Sequence, residues 1–162
     1  MTKTFESTIK EFEKNGKRGI RTLRDMKGYF SDKKEEERIL KSGKNPIIYE
    51  TFVEEKSPIN LGLTIMRAGK VGKEFYFTKG HIHRTGKPEF YILMEGKGKL
   101  LLQKAGKTRV IELKKGELTL IGKGEAHRIA NTGKKKLKVL TVYHDNSKPD
   151  YSIKFKKRFF RK

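Results

Sequence analysis

The residues able to do chemistry in this chain are few and clustered. His81-Ile82-His83 sets two imidazoles at i and i+2, which in a strand places both on one face. Glu89 follows after five residues, past Lys87-Pro88, and opens the next apolar run. His127 comes 44 residues after His83, behind the glycine-rich stretch Gly122-Lys123-Gly124-Glu125-Ala126. A single histidine in a strand is ordinarily a polar surface residue or a hydrogen-bonded core residue, and an isolated His-x-His pair is common. Three imidazoles and one carboxylate converging inside a barrel are a different matter, because that donor set suits one divalent transition metal with coordination positions left open. Such a centre can act as a Lewis acid or, as iron, activate oxygen. Cysteine is absent, which excludes disulfides, thiolate ligands and a cysteine nucleophile.

The elements that must position these residues are short strands. From Pro46 onward, β-branched and aromatic runs recur at Ile47–Val53, Leu61–Met66, Glu74–Thr78, Phe90–Met94, Leu100–Gln103, Arg109–Leu113, Glu117–Ile121, His127–Ile129 and Leu137–Tyr143. With Gly96-Lys97-Gly98 and Ala105-Gly106-Lys107 as turns, that spacing predicts an all-β sandwich or barrel. Strands do not alternate with long helices, so a parallel α/β sheet is not expected, and there is no internal repeat. Upstream, Ser31–Ser42 reads as a short surface helix, capped by Ser31 or Asp32, with Glu35, Glu36 and Glu37 early and Gly43 past its end. The 162 residues favour one domain. Its expected limits are an N-terminal tail or frayed helix over 1–17, the domain over 18–151 and a basic tail over 152–162. Leu, Ile, Val and Phe total 41 residues, enough for a lean core.

Charge is the other conspicuous feature. Lys and Arg number 40 against 19 Asp and Glu, a formal net charge of +21. From Lys134 to Lys162 there are 11 cations against two Asp, with phenylalanines interleaved at the end. That pattern can bind nucleic acid. No nucleic-acid-binding motif accompanies it, and a solvated lysine-rich face whose phenylalanines pack on the barrel or on a partner copy is the preferred reading. No apolar run approaches the roughly 18 residues of a membrane span. The first residues carry no apolar signal core, so the expected location is cytoplasmic.

The two strings His81-x-His83-x5-Glu89-x6-Gly96 and Gly116-x5-Gly122-x-Gly124-x2-His127-x3-Asn131 resemble the paired motifs of the cupin superfamily, with Gly122 where that pattern usually has Pro. A narrower resemblance, to cupin-type phosphoglucose isomerases, runs from about Arg18 to Tyr151. It is carried by Arg24-Asp25-Met26-Lys27-Gly28-Tyr29-Phe30, by Asn45-Pro46-Ile47-Ile48-Tyr49-Glu50 and above all by the block from Gly69 to His83. Glu89-Phe90-Tyr91, Leu101-Leu102-Gln103 and Ala126-His127-Arg128 continue it. The resemblance implies a single double-stranded β-helix (jelly-roll) barrel with a short N-terminal helical segment, typically paired as a homodimer. It also implies interconversion of glucose 6-phosphate and fructose 6-phosphate, in glycolysis and gluconeogenesis, with one divalent metal per subunit: Fe2+, or Mn2+, Ni2+, Co2+ or Zn2+.

Carried over residue by residue, it makes His81, His83, Glu89 and His127 the ligands. It assigns Tyr49, Thr64, Thr78 and Gly80 to the substrate phosphate and sets Tyr91 and Tyr143 around the sugar; beside Gly80, Lys79 can add charge to the phosphate site. Glu89 is the candidate general base. The competing route is a direct hydrogen shift, in which Glu89 only holds metal and Tyr91 or a water moves the hydroxyl proton. Where the family carries a His before its late Asp-Tyr pair, this chain has Pro149, with His144 the nearest histidine. A mononuclear iron dioxygenase and a non-catalytic sugar-phosphate-binding cupin are the other readings that the donor set allows.

Overall fold

The computed structural model describes residues 4–159, so the ends of both predicted tails lie outside the described residues. In chain order its elements are α1 (Phe5–Asn15), β1 (Lys17–Thr22), a 3₁₀ turn (Arg24–Met26), α2 (Lys33–Lys41), β2 (Ile47–Glu54), β3 (Ile59–Met66), β4 (Lys70–Val71) and β5 (Glu74–Phe75). There follow β6 (Ile82–His83), β7 (Glu89–Glu95), β8 (Gly98–Lys104), β9 (Lys107–Leu113), β10 (Leu118–Ile121), β11 (Ala126–Asn131), β12 (Leu137–His144) and β13 (Pro149–Asp150).

The strands form two antiparallel layers. One sheet runs β1-β2-β3-β12-β7-β10. The other is β11-β8-β9; the bridge His81↔His127 joins it to the chain entering the β6–β13 pair, and Phe77↔Ala130 joins it to the chain after β5. This is the all-β barrel that the strand spacing predicts. Alternation sends Leu93, Leu100, Leu102, Ile129 and Val139, all nearly or fully buried, between the layers.

The outer faces are covered unequally. On the six-stranded sheet, α1 lays Phe12 over Phe52, Leu63 and Ile65 to form a separate small core. On the second sheet, the segment from Leu23 through α2 and the chain after Ile153 form an apron over Phe77 and Arg128. Gln103 clamps that last segment, donating to the Lys154 carbonyl and accepting from the Lys156 amide, both at 2.9 Å. Phe159 is 5% exposed at its end.

Local differences from the sequence reading have physical causes. The strand expected over Glu74–Thr78 stops at Phe75; the chain then turns and meets β11 only through isolated bridges. β1 is an edge strand whose polar sequence shows no apolar alternation. In α2, Asp32 is the cap, accepting from the Glu35 amide at 3.0 Å. Glu36 on the same helix is not at the surface: it is 2% exposed and takes the Gly28 amide at 2.9 and 3.1 Å.

Candidate metal centre

Three segments bring the four donors together. His83 comes from β6, Glu89 starts β7 and His127 sits near the start of β11, while His81 exchanges backbone hydrogen bonds with His127 at 2.9 and 3.1 Å. One ligand atom from each lies within 4.8 Å of all the others. His83 Nε2 and His127 Nε2 approach Glu89 Oε2 at 3.2 and 3.0 Å, and His81 Nε2 lies 3.0 Å from His83 Nε2.

The remaining ring nitrogens fix the tautomers. His83 Nδ1 donates to the Lys87 carbonyl at 3.2 Å and His127 Nδ1 to the Glu125 carbonyl at 3.1 Å. Each Nε2 therefore presents a lone pair to the centre, the outer-shell arrangement of metal-bound imidazoles. Among the described residues, Glu89 Oε2 and His127 Nε2 are buried and have no hydrogen-bond partner. Crowded lone pairs and orphaned buried acceptors are what a cation resolves, so the residues present fit one divalent ion with nitrogen and oxygen ligands.

Protonation follows the same crowding. Burial, reinforced by the neighbouring histidines, pulls His81 down to about 3. For His83, burial opposes the charge, but the Glu89 carboxylate outweighs it and the net shift is upward. Burial likewise opposes the Glu89 charge, yet the adjoining imidazoles of His127 and His83 outweigh it and bring that carboxyl down to about 2. Glu89 is an anion throughout the physiological range.

Around this cluster the inner face of the six-stranded sheet carries hydroxyls. Tyr91 lies on β7 with its ring 5.7 Å from that of His127, and Tyr143 on β12 is paired in register with Glu89. Tyr49 and Thr64 share the same face of β2 and β3. Burial pushes Tyr49 and Tyr143 up to about 12 and Tyr91 well above an ordinary phenol, so all three keep their protons. Thr78 Oγ1 accepts from the Ile129 amide at 3.2 Å, and Lys79 Nζ lies 5.4 Å from the centre of the Tyr29 ring, at the rim.

Gly80 has a structural reason to be glycine. Its φ is +73°, and a Cβ there would stand 2.6 Å from Arg128 Cβ and 2.7 Å from the His127 carbonyl oxygen.

His144 does not take the place of the residue that Pro149 replaces. It follows the inward-facing Tyr143 and so points to the other face of β12. Its Nδ1 is engaged by the Asn146 amide at 3.1 Å and by Asp145 at 2.9 Å. Pro149 itself pairs in register with His83.

Two residues that sequence reasoning did not single out stand at the same mouth. The ring of Tyr151 is 5.3 Å from that of His81, and Arg21 on β1 is in register with Tyr49. Tyr151 was within reach of the Asp-Tyr pair at the end of the resemblance. Arg21 was hidden because β1 carries no strand signal.

Comparison with known proteins agrees with this geometry. Among solved structures, an oxalate oxidase in complex with glycolate matches at TM-score 0.50 and 16% identity, over 59% of this chain and 46% of that one. An oxalate decarboxylase from Lactobacillus farciminis matches at TM-score 0.52 and 19% identity, over 65% and 30%. At such identities the likeness concerns the fold, a cupin barrel. Among the described residues no helix is long and apolar enough to cross a membrane.

Curated relatives are nearer in sequence. Glucose-6-phosphate isomerase of Thermococcus litoralis is 37% identical over 96% of this chain and 83% of that protein. The Pyrococcus abyssi protein of the same name is 40% identical over 83% and 74%. A family model described as Glucose-6-phosphate isomerase (GPI) matches residues 20–161. With its donor cluster set in a cupin barrel and that match spanning most of its length, the chain belongs to the glucose-6-phosphate isomerase family of aldose–ketose isomerases.

Proposed function

We propose that this protein interconverts glucose 6-phosphate and fructose 6-phosphate with one divalent transition metal per subunit. Iron(II) ranks ahead of manganese, nickel, cobalt and zinc, because imidazole and carboxylate ligands with open positions suit it. The observation that carries the reading is the orphaned pair Glu89 Oε2 and His127 Nε2, inside a four-donor cluster, in a chain of the isomerase family.

His81, His83, Glu89 and His127 would hold the ion. When bound, it supplies Lewis-acid polarisation of the sugar carbonyl and charge stabilisation at the neighbouring oxygen. The protein residues orient the substrate and move the proton. Tyr49, Thr64 and Thr78 offer hydroxyls to the phosphate, Gly80 keeps the backbone close to it, and Lys79 adds charge at the rim. Glu89, as a ligand of the ion, would be a weak base toward a carbon-bound proton. This favours direct transfer of hydrogen between C2 and C1 over abstraction by Glu89. Tyr91 and Tyr143, which burial keeps protonated, would hold and pass the proton between the two sugar oxygens.

Homodimerisation has a candidate surface. Phe90 and Ile92 on β7 are in register with Leu120 and Leu118 on β10, and the two leucines are 50% and 60% exposed beyond the cover of α1. An exposed apolar sheet face of this kind fits a second copy of itself. The reaction belongs to glycolysis and gluconeogenesis, and a cytoplasmic location follows from it.

The test is a fructose 6-phosphate isomerase assay under anaerobic conditions, with chelator followed by metal add-back. Activity that is lost and restored supports the proposal, and activity indifferent to chelation, or dependent on oxygen, overturns it. Substrate deuterated at C2 decides the route, since label retained at C1 is expected and complete loss to water would make Glu89 the base.

A further inference from the structure

A cavity of about 560 Å³ lies beside the barrel, between the 27–29 turn and the chain after Tyr151. It is a site apart from the metal centre. Its floor is Arg128, which follows His127 on β11 and so projects from the opposite face of the sheet. Lys27, Lys79, Lys154 and Arg158 complete a ring of cations, with Tyr29, Tyr151 and Phe155 as aromatic walls.

Few acids face this charge. Glu74, fully buried, has Oε1 3.8 Å from Arg158 and Oε2 taken by the Ser31 amide and hydroxyl at 2.9 and 3.0 Å, and Asp25 acts on Lys79 from beyond ion-pair distance. Among the described residues, Lys27, Lys79 and Lys154 have no carboxylate partner within ion-pair distance. Arg128 is 3% exposed, yet among the described residues it donates only to the Lys157 carbonyl, at 2.6 Å, and its Nε is buried without a partner. Its guanidinium is held between the rings of Phe77 and Phe155, 4.5 and 4.7 Å from their centres. Arg158 donates to the Tyr29 carbonyl at 2.5 Å, tying the two walls together. Folding thus gathers five cations around one hollow, and an anion there would relieve the repulsion between the buried Arg128 and Arg158.

We propose that this hollow is a second anion site, taking a small phosphate-bearing molecule whose phosphate is held by Lys27, Lys154 and the two arginines. Its volume lies within the roughly 300–1,000 Å³ usual for small-ligand pockets, and its aromatic walls accommodate an organic portion. Lys79 and Tyr151 also line it, and the Tyr151 ring lies 5.3 Å from that of His81.

The experiment follows backbone amide signals of the zinc-loaded, 15N-labelled full chain as inorganic phosphate is added. Amides of Gly28 and of residues 152–158 are expected to shift and saturate. The double variant Lys27→Gln/Lys154→Gln, both at exposed positions, should weaken that saturation about tenfold or more. Thr64→Val, on the inner face of the barrel, should leave it unchanged. Shifts confined to Tyr49, Thr64, Thr78 and the metal ligands would overturn the proposal, as would a double variant that titrates like the parent. No arm reads isomerase activity, so failure of the isomerase reading would leave this result standing.

Discussion

His127 and Arg128 are neighbours on β11 and nearly equally hidden, at 1% and 3% exposure. His127 turns inward and offers an unpartnered lone pair among three other donors. Arg128 turns outward and keeps a positive charge under a cover of phenylalanines, with burial and then Arg158 pulling its pKa down to about 10. One strand therefore presents an electron-rich site on one side and an electron-poor site on the other. Burial does not by itself decide whether a group is charged. The partners within a few ångströms do, and strand alternation keeps the two sets of partners apart.

Substitutions can break this comparison one side at a time. The largest effect is expected from His127→Ala, which should cut isomerase activity by more than about 100-fold. Metal content measured on the purified protein should fall with it, and a variant that keeps its full metal content would refute the inner half. Gly80→Ala should strike both sides, because the added methyl meets the His127 carbonyl and Arg128 Cβ at a left-handed φ. A loss of about 3 kcal/mol in denaturant unfolding is expected. An unchanged midpoint would show that the two layers do not need this close approach.

Arg128→Met retains length and removes the charge held between the rings, for a loss of about 2 kcal/mol. That corresponds to a melting temperature lower by about 4–8 °C. Metal content should be unaffected, and metal lost in proportion to stability would show that the two faces are not independent.

The smallest effect concerns Glu50, which bridges Arg18 and Arg67 on the outer face of the other sheet. Burial raises its pKa, but the two guanidiniums outweigh this and the net shift is downward. A folded pKa below the unfolded one gives stability that is complete above the ordinary carboxylate value and is lost as pH falls through the folded one. Glu50→Gln should therefore cost about 1 kcal/mol at pH 7 and flatten the acid limb of the stability profile. Parallel acid limbs for parent and variant would remove Glu50 from the account.

Much of the barrel was legible in the chain. Runs such as Leu137–Tyr143 are β-branched and apolar and are bounded by turn residues, so their strand character is local information. The donors were legible for the same reason: His-x-His on an extended backbone shares a face wherever that strand goes. β1 was not legible, because Lys17-Arg18-Gly19-Ile20-Arg21-Thr22 gains its conformation only by pairing with β2. Neither were Glu36, Glu50 and Glu74, since an acid buried on a distant amide, guanidinium or hydroxyl looks in sequence like any solvated acid. Tyr151 is close to His81 only because β13 returns to pair with β6.

By itself the sequence determined the type of fold and the four ligand-type side chains, because strand propensity, turn chemistry and residue type act over a few positions. The tertiary structure decided which buried charges are balanced and which are left open. It aimed Glu89 and His127 at one point inside the barrel and closed the basic segment after Tyr151 over Arg128. Those outcomes depend on contacts between residues tens of positions apart, made only once the two layers and their apron have closed.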